Sequence, residues 1–171
     1  MLVTLATRTF TPEPTAAALR LGALARALAG GGDRVRVLTS RLAPAVARGA
    51  ARADEPGTGL VEVRRAPVLR DRTGAVRGYV SYLSFDVPLI ARLLAGPRPD
   101  VVVAEPPPTT GAAVRLACAL RRVPYVYYCA DIVSDAAALA GVARPVVRAV
   151  AGLESFALRG ARRVVAVSDG V

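Results

Sequence analysis

Short continuous runs of β-forming apolar residues recur along this chain, each followed by a stretch with apolar residues at helical spacing, and no other feature narrows the fold so much. Leu2 to Ala6 begins almost at the first residue, and Asp100-Val101-Val102-Val103-Ala104 is the clearest case. Val123-Pro124-Tyr125-Val126-Tyr127-Tyr128-Cys129 carries its one proline at the entrance, where a strand tolerates it. Runs that are apolar at every position belong to strands covered on both faces, as in a central parallel sheet. Strands alternating with helices then give an α/β fold, a doubly wound parallel sheet of Rossmann-like type. The 171 residues are expected to form a single domain over 1–171, long enough to bury about 70% of the unfolded surface without a metal or disulfide.

In chain order, the first strand leads into the two-proline loop Arg8-Thr9-Phe10-Thr11-Pro12-Glu13-Pro14-Thr15. A helix follows from about Ala16 to Ala29, with Ala17, Leu21, Leu24 and Leu28 on one face. Gly30-Gly31-Gly32 lies behind that helix rather than between a strand and the next helix, which makes it a C-cap and not a dinucleotide fingerprint. Arg34 to Thr39 is the second strand, its alternation suggesting a less buried position. Residues 41–59 show no period and read as loop, and Leu60 to Arg64 is the third strand. Tyr79 to Ala95 carries Val80, Leu83, Val87, Ile90 and Leu94 at helical spacing, with Pro88 bending or splitting it. After the fourth strand, Thr109 or Thr110 is expected to cap a helix running to about Leu120. Beyond the fifth strand, a helix over 144–160 turns Val147, Val150, Leu153, Phe156 and Leu158 mainly inward, and Arg163 to Val167 is the sixth strand.

Hydrophobic residues make up 53% of the chain and aromatics only 5%, so the core is built from Val, Leu and Ala. The net charge of +10 is carried by arginine alone, since there is no lysine. Such an excess points to nucleic acid, an anionic membrane surface or a phosphorylated substrate. The arginines are dispersed, with no run longer than two and no interleaved aromatics, which argues against nucleic acid. The absence of histidine excludes Ser-His and Cys-His pairs, and Cys118 and Cys129 fit neither a metal-ligand spacing nor a disulfide framework. No metal and no organic cofactor is expected. Met1 to Thr7 lacks a basic n-region, and Asp86, Pro88 and Arg92 interrupt the longest apolar stretch, so a cytoplasmic chain is expected. A core helix is the simpler reading of that stretch; the alternative lays it on the inner face of the membrane, with Arg77 and Arg92 at its edges.

In open parallel sheets, ligands bind outside the carboxyl ends of the strands, where the strand order reverses. With the order 3-2-1-4-5-6, the loops after the first, fourth and fifth strands bring Glu13, Glu105, Asp131 and Asp135 to one cleft. Asp135 precedes Ala136-Ala137-Ala138-Leu139 and fits a helix N-cap as well as it fits a functional carboxylate; Asp131 suits capping less.

Phe10-Thr11-Pro12-Glu13-Pro14-Thr15 before a helix, Gly32-Asp33-Arg34-Val35-Arg36-Val37-Leu38-Thr39, and Pro124-Tyr125-Val126 through Asp131-Ile132-Val133-Ser134-Asp135 together carry a resemblance. In that order they resemble the N-terminal domain of family-4 glycosyltransferases of the colanic-acid and exopolysaccharide type. The stretch from Glu154 to Ser168 is similar to the way that domain closes. The resemblance covers nearly the whole chain. It implies the N-terminal half of a GT-B fold, in which two Rossmann-like domains face each other, the first holding the acceptor and the second the nucleotide sugar. Carried onto this chain, Thr15 and Ala16 at a helix start would offer backbone N–H groups to the donor phosphates. Asp131 would be the catalytic residue beside the acceptor hydroxyl. Glu13, Thr15, Glu105, Tyr128 and Asp135 are the candidate substrate-binding residues, Tyr128 and Cys129 standing where many members have a histidine.

The expected function is the acceptor-binding domain of a retaining hexosyltransferase that moves a sugar from a nucleotide-sugar donor to a glycan or lipid-linked acceptor. The resemblance leads us to expect the donor domain outside these residues, which alone are expected to be inactive. Two alternatives stay open. One is a non-catalytic acceptor-side or membrane-side subunit that recruits a separate donor chain; the other is a stand-alone nucleotide-binding Rossmann protein, for which a glycine-rich strand-to-helix loop is lacking.

Overall fold

The computed structural model describes residues 1–50, 59–71, 74–76, 78–130, 132–134 and 141–167. Six strands, β1 (Leu2–Ala6), β2 (Arg34–Ser40), β3 (Val61–Ala66), β4 (Val101–Ala104), β5 (Tyr125–Cys129) and β6 (Arg163–Ala166), form one sheet in the order β3-β2-β1-β4-β5-β6. Every neighbouring pair is parallel, with Val3 opposite both Val35 and Val101. Strand order reverses between β1 and β4, as the alternation of runs and helices requires.

The helices are α1 (Ala16–Gly30), α2 (Pro44–Ala50), α3 (Tyr79–Ala95), α4 (Pro108–Arg121) and α5 (Arg144–Gly160). Strand side chains alternate between two cores. Val3, Leu5, Val35 and Val37 pack with Phe10, Leu21, Ala25 and Ala29 on the α1 side. Ala6, Leu38, Val102, Ala104, Tyr125 and Tyr127 pack under α3, α4 and α5 with Phe85, Leu89, Leu93 and Val114. Full burial of each large side chain contributes about 1.5–3 kcal/mol, so the covered faces, not local propensity, hold the strands in register.

Local chemistry sets the ends. Thr15 caps α1 by accepting from the Ala18 N–H at 3.1 Å, and Gly31 and Gly32 close it, Gly32 at φ +87° where a side chain would be strained. α4 starts on Pro108 with Pro107 as its cap residue, not on Thr109 or Thr110, because a proline lacking an N–H fits the first helical position. In place of an expected loop, residues 44–50 form α2, which has a proline at its first position and three alanines. β2 is not the less buried strand its alternation suggests: it lies between β1 and β3, and Val35 and Val37 to Ser40 are buried. α3 is a single helix that contains Pro88. It buries Ser81, Phe85, Asp86, Leu89 and Leu93 and leaves Val80, Leu83 and Val87 exposed. In α5, Val150, Glu154 and Ala157 face inward, whereas Leu153 and Phe156, expected inside, are exposed. Among the described residues no helix is long and apolar enough to cross a membrane.

Candidate functional site at the carboxyl ends of the strands

A cleft of about 670 Å³ opens at the reversal point. The β1–α1 loop supplies Arg8, Thr9, Glu13 and Thr15, and the β4–α4 turn supplies Glu105, Pro106 and Pro107. Ala130 and Val133 come from beyond β5, Arg20 from α1 and Tyr82 from α3, while Val46 of α2 and Arg70 form the outer wall. A second groove of about 550 Å³ lies between α4 and α5, against Arg115 and Phe156, away from the strand ends.

One hydrogen-bonded pair spans the reversal point. Thr7, fully buried at the end of β1, stands with its hydroxyl 2.6 Å from Glu105 Oε2 at the end of β4. The same hydroxyl lies 2.8 Å from the Thr9 carbonyl and 3.3 Å from the Thr9 N–H. A threonine hydroxyl has one proton to donate and two lone pairs to accept with. It accepts from the Thr9 N–H, and its one proton serves either Glu105 Oε2, the nearer acceptor, or the Thr9 carbonyl; in the second case Oε2 must itself carry a proton. Burial, the largest influence on Glu105, pushes its pKa above the ordinary 4.5; the Thr7 hydroxyl and the charges of Arg20 and Arg8 oppose this. Burial thus favours the neutral carboxyl, while the Thr7 hydroxyl, as a donor, favours the ionised one.

Asp86 is a second buried acid, facing the helix layer. Thr110 donates to its Oδ1 at 2.6 Å while Oδ2 has no partner. Burial raises its pKa above 3.8, opposed by Thr110, by Thr109, which lies close without a hydrogen bond of ordinary geometry, and by the charge of Arg8. Glu13 is held differently. It accepts from the Phe10 N–H at 3.2 Å and pairs with Arg70 at 3.2 Å. Arg70 also donates to Gly74 O at 2.8 Å, Ser40 Oγ at 3.1 Å and Arg41 O at 2.5 Å, which pins the outer wall to the strand ends. Arg8 is the opposite case: its guanidinium lies 4.0 Å above the Tyr82 ring, and its buried Nε and Nη1 have no hydrogen-bond partner among the described residues.

Of the residues expected from sequence, Glu13, Thr15 and Glu105 line the cleft together. Ala16 is the first residue of α1 beside them. Tyr128 is partly buried on β5 and is not part of the cleft lining. Asp131 and Asp135 lie outside the described residues; Ala130 and Val133, on either side of Asp131, do line the cleft. Sequence reasoning missed Arg8, Arg20 and Glu154. Glu154 accepts from the Val133 N–H at 2.8 Å, the Ser134 N–H at 3.3 Å and the Ser134 hydroxyl at 2.6 Å, so it holds the segment after β5 against α5. Its position in the stripe Val150, Glu154, Ala157 was the available signal, a carboxylate where the helix turns inward. Neither cysteine is in a disulfide, and burial pushes the Cys118 thiol up to about 12, where it is unreactive.

Residues 15–171 match the model of the glycosyl transferase 4-like domain. The chain belongs to that family. Similar solved structures are those of Arabidopsis thaliana UGT89C1. The complex with UDP superposes with a TM-score of 0.60 at 12% identity, covering 97% of this chain and 44% of that one. The complex with quercetin gives 0.51 at 11% identity over 80% of this glycosyl transferase 4-like chain and 36% of the other. At such identity the likeness concerns the fold, and it matches the six-stranded parallel sheet to a GT-B glycosyltransferase. The chain thus spans less than half the length of these structures. No curated protein sequence is a significant match.

Proposed function

We propose that this glycosyl transferase 4-like domain is the acceptor side of a retaining glycosyltransferase of the colanic-acid and exopolysaccharide type, acting in polysaccharide biosynthesis. It takes a hexose from a nucleotide-sugar donor to a glycan or lipid-linked acceptor. The observation that carries the reading is the cleft itself, which gathers the ends of β1, β4 and β5 and the start of α1 at the reversal point. In a retaining transfer the bond from the anomeric carbon to the donor diphosphate breaks, the acceptor oxygen takes its place on the same face, and the hydroxyl proton leaves with the diphosphate. No strong protein base is needed, which suits a chain without histidine. Asp131 orients the acceptor hydroxyl, Asp135 and Tyr128 stand near the sugar, and the start of α1 offers the donor phosphates the Ala16 N–H but not that of Thr15, which is donated to the Glu13 carbonyl at 2.9 Å. The nucleotide is held by a second domain, so residues 1–171 alone are inactive; UGT89C1, which binds UDP, is more than twice as long as the matched region. The test is transfer by the native full-length protein from uridine- and guanosine-diphosphate hexoses. Asp131→Ala is expected to abolish turnover with the melting temperature unchanged, and wild-type turnover in that variant would remove Asp131 from the site.

The exposed stripe Val80, Leu83, Val87 on α3, continued by Tyr79 and Leu94, favours a further element of this reading. With a net charge of +10 behind it, that face suits an anionic bilayer, which would place a cytoplasmic enzyme at the inner face of the membrane with a lipid-linked acceptor near Tyr82. Sedimentation with phosphatidylglycerol vesicles is expected, and Leu83→Glu with Val87→Glu should abolish it. No sedimentation of the wild type would end the membrane reading.

A further inference from the structure

Among the described residues three arginines line the cleft, and they differ in what they have left to offer. Arg70 spends its donors on Gly74, Glu13, Ser40 and Arg41. Arg20 lies 4.0 Å from Glu105 Oε1 through Nη2, and its buried Nε has no partner. The guanidinium carbon of Arg8 lies 4.0 Å over the Tyr82 ring, a cation–π contact that leaves the N–H donors free, and its buried Nε and Nη1 have no partner among the described residues. Nε and Nη1 belong to different edges of the guanidinium plane, so each edge has an unfilled donor. Buried donors on a cation are almost always matched, and leaving them open costs stability unless something else fills the place. The carboxyls whose fields reach Arg8, Asp86 and Glu105, do not bond to it and instead face Thr110 and Thr7. The rest of the lining supplies the hydroxyls of Thr9 and Thr15 and a small apolar wall of Ala43, Ala45 and Val46.

We propose that Arg8, lying over the Tyr82 ring and assisted by Arg20, forms an anion subsite that takes the phosphate or carboxylate of an acidic sugar acceptor. The inference rests on the acceptor reading above and narrows its substrate class. A planar guanidinium with open edges matches the two oxygens of either group, and the charge-assisted bonds form in a site partly shielded from water. The neighbouring hydroxyls are suited to the sugar that carries the anion.

The test is NMR titration of the protein with four probes: glucose 1-phosphate, glucuronic acid, glucose and UDP. Hydrogen bonds to charged groups contribute about 1.5–3 kcal/mol, so at least one acidic sugar should bind about 10- to 100-fold more tightly than glucose. Arg8→Gln and Arg8→Met should each erase that advantage, the second keeping a long apolar side chain beside Tyr82. Arg20→Gln, at a position 37% exposed on α1, should weaken the acidic sugars alone and provides a variant that does not disturb the interior. The comparison of glucose 1-phosphate with glucuronic acid identifies the anion. Equal binding of charged and neutral sugars, no sugar binding at all, wild-type affinity in Arg8→Gln, or an Arg8 effect confined to UDP would each overturn the proposal. Transfer to a neutral acceptor that ignores Arg8 would leave the glycosyltransferase reading standing without the subsite. Arg8-dependent binding of an acidic sugar with no transfer by the full-length protein would do the reverse.

Discussion

Replacing Thr7 by valine and Glu105 by glutamine, separately, distinguishes a protonated Glu105 from an ionised one. Thr7→Val keeps the shape of a fully buried side chain but strips Glu105 Oε2 and the Thr9 carbonyl of the hydroxyl between them. A buried polar group left without its partner costs about 1–3 kcal/mol, and for a chain of this length each kcal/mol lowers the melting temperature by about 2–4 °C. Thr7→Val should therefore melt about 2–12 °C lower. Glutamine at 105 offers an N–H where the protonated acid offers its O–H, so the same network closes, and Glu105→Gln should retain wild-type stability in mild acid. The pH dependence follows from the direction of the shift. With its folded pKa above 4.5, Glu105 in the folded chain still holds a proton that the unfolded chain has released. Stability is full below 4.5 and is lost as pH rises through the folded pKa, by at most about 1.4 kcal/mol per pH unit for one proton. Glu105→Gln removes this loss, so its advantage over wild type should grow from pH 4.5 upward and then level off. Urea unfolding followed by far-UV circular dichroism, at half-unit steps from pH 4 to 8 and with unchanged m-values, measures it. A Glu105→Gln variant that is more than about 1 kcal/mol less stable than wild type at pH 8 would show that Thr7 holds a carboxylate, and the reasoning would fail.

Asp86→Asn should behave in the same sense, since an amide oxygen still accepts from Thr110: thermal melts should show it gaining on wild type as pH rises above 3.8. Gly111→Ala should lower stability. A Cβ there would stand 2.5 Å from Tyr127 Cε2 and 2.8 Å from Ala157 Cβ, and overpacking at about 1–3 kcal/mol outweighs the helix-propensity gain of about 1 kcal/mol; an unchanged melting temperature would mean that α4 and α5 can part freely. Glu154→Ala should leave the N–H groups of Val133 and Ser134 without acceptors, read as faster hydrogen exchange at those two amides while the amides of β1 stay protected.

The sheet was legible because its central strands are almost wholly apolar, Val101 to Val103 at every position and Leu2 to Ala6 at all but Thr4, and a parallel order follows from the intervening helices. The second strand misled because Arg34 and Arg36 alternate with valines, yet Arg36 reaches across to Glu62 of β3 at 2.8 Å and the strand stays covered. In α3 apolar residues occupy both faces, so period alone could not choose between Phe85-Leu89-Leu93 and Val80-Leu83-Val87; packing under β1 and β4 chose. The two-proline loop and Glu105 could be placed at the cleft from topology. Arg8 could not, since its neighbour Tyr82 lies on a helix far along the chain, and an isolated arginine after a strand reads as a solvated charge. Asp86 was read as an interruption of an apolar stretch for the same reason: its partner Thr110 stands on another helix.

The acceptor cleft itself is tested most directly by backbone-amide NMR of the 17.7 kDa chain titrated with the acidic sugar that binds best. Shifts concentrated at Arg8 to Thr15, Glu105, Thr109 and Ala130 to Val133 are the predicted result. Shifts gathered instead around Arg115, Phe156 and Arg159, in the groove between α4 and α5, would contradict the account.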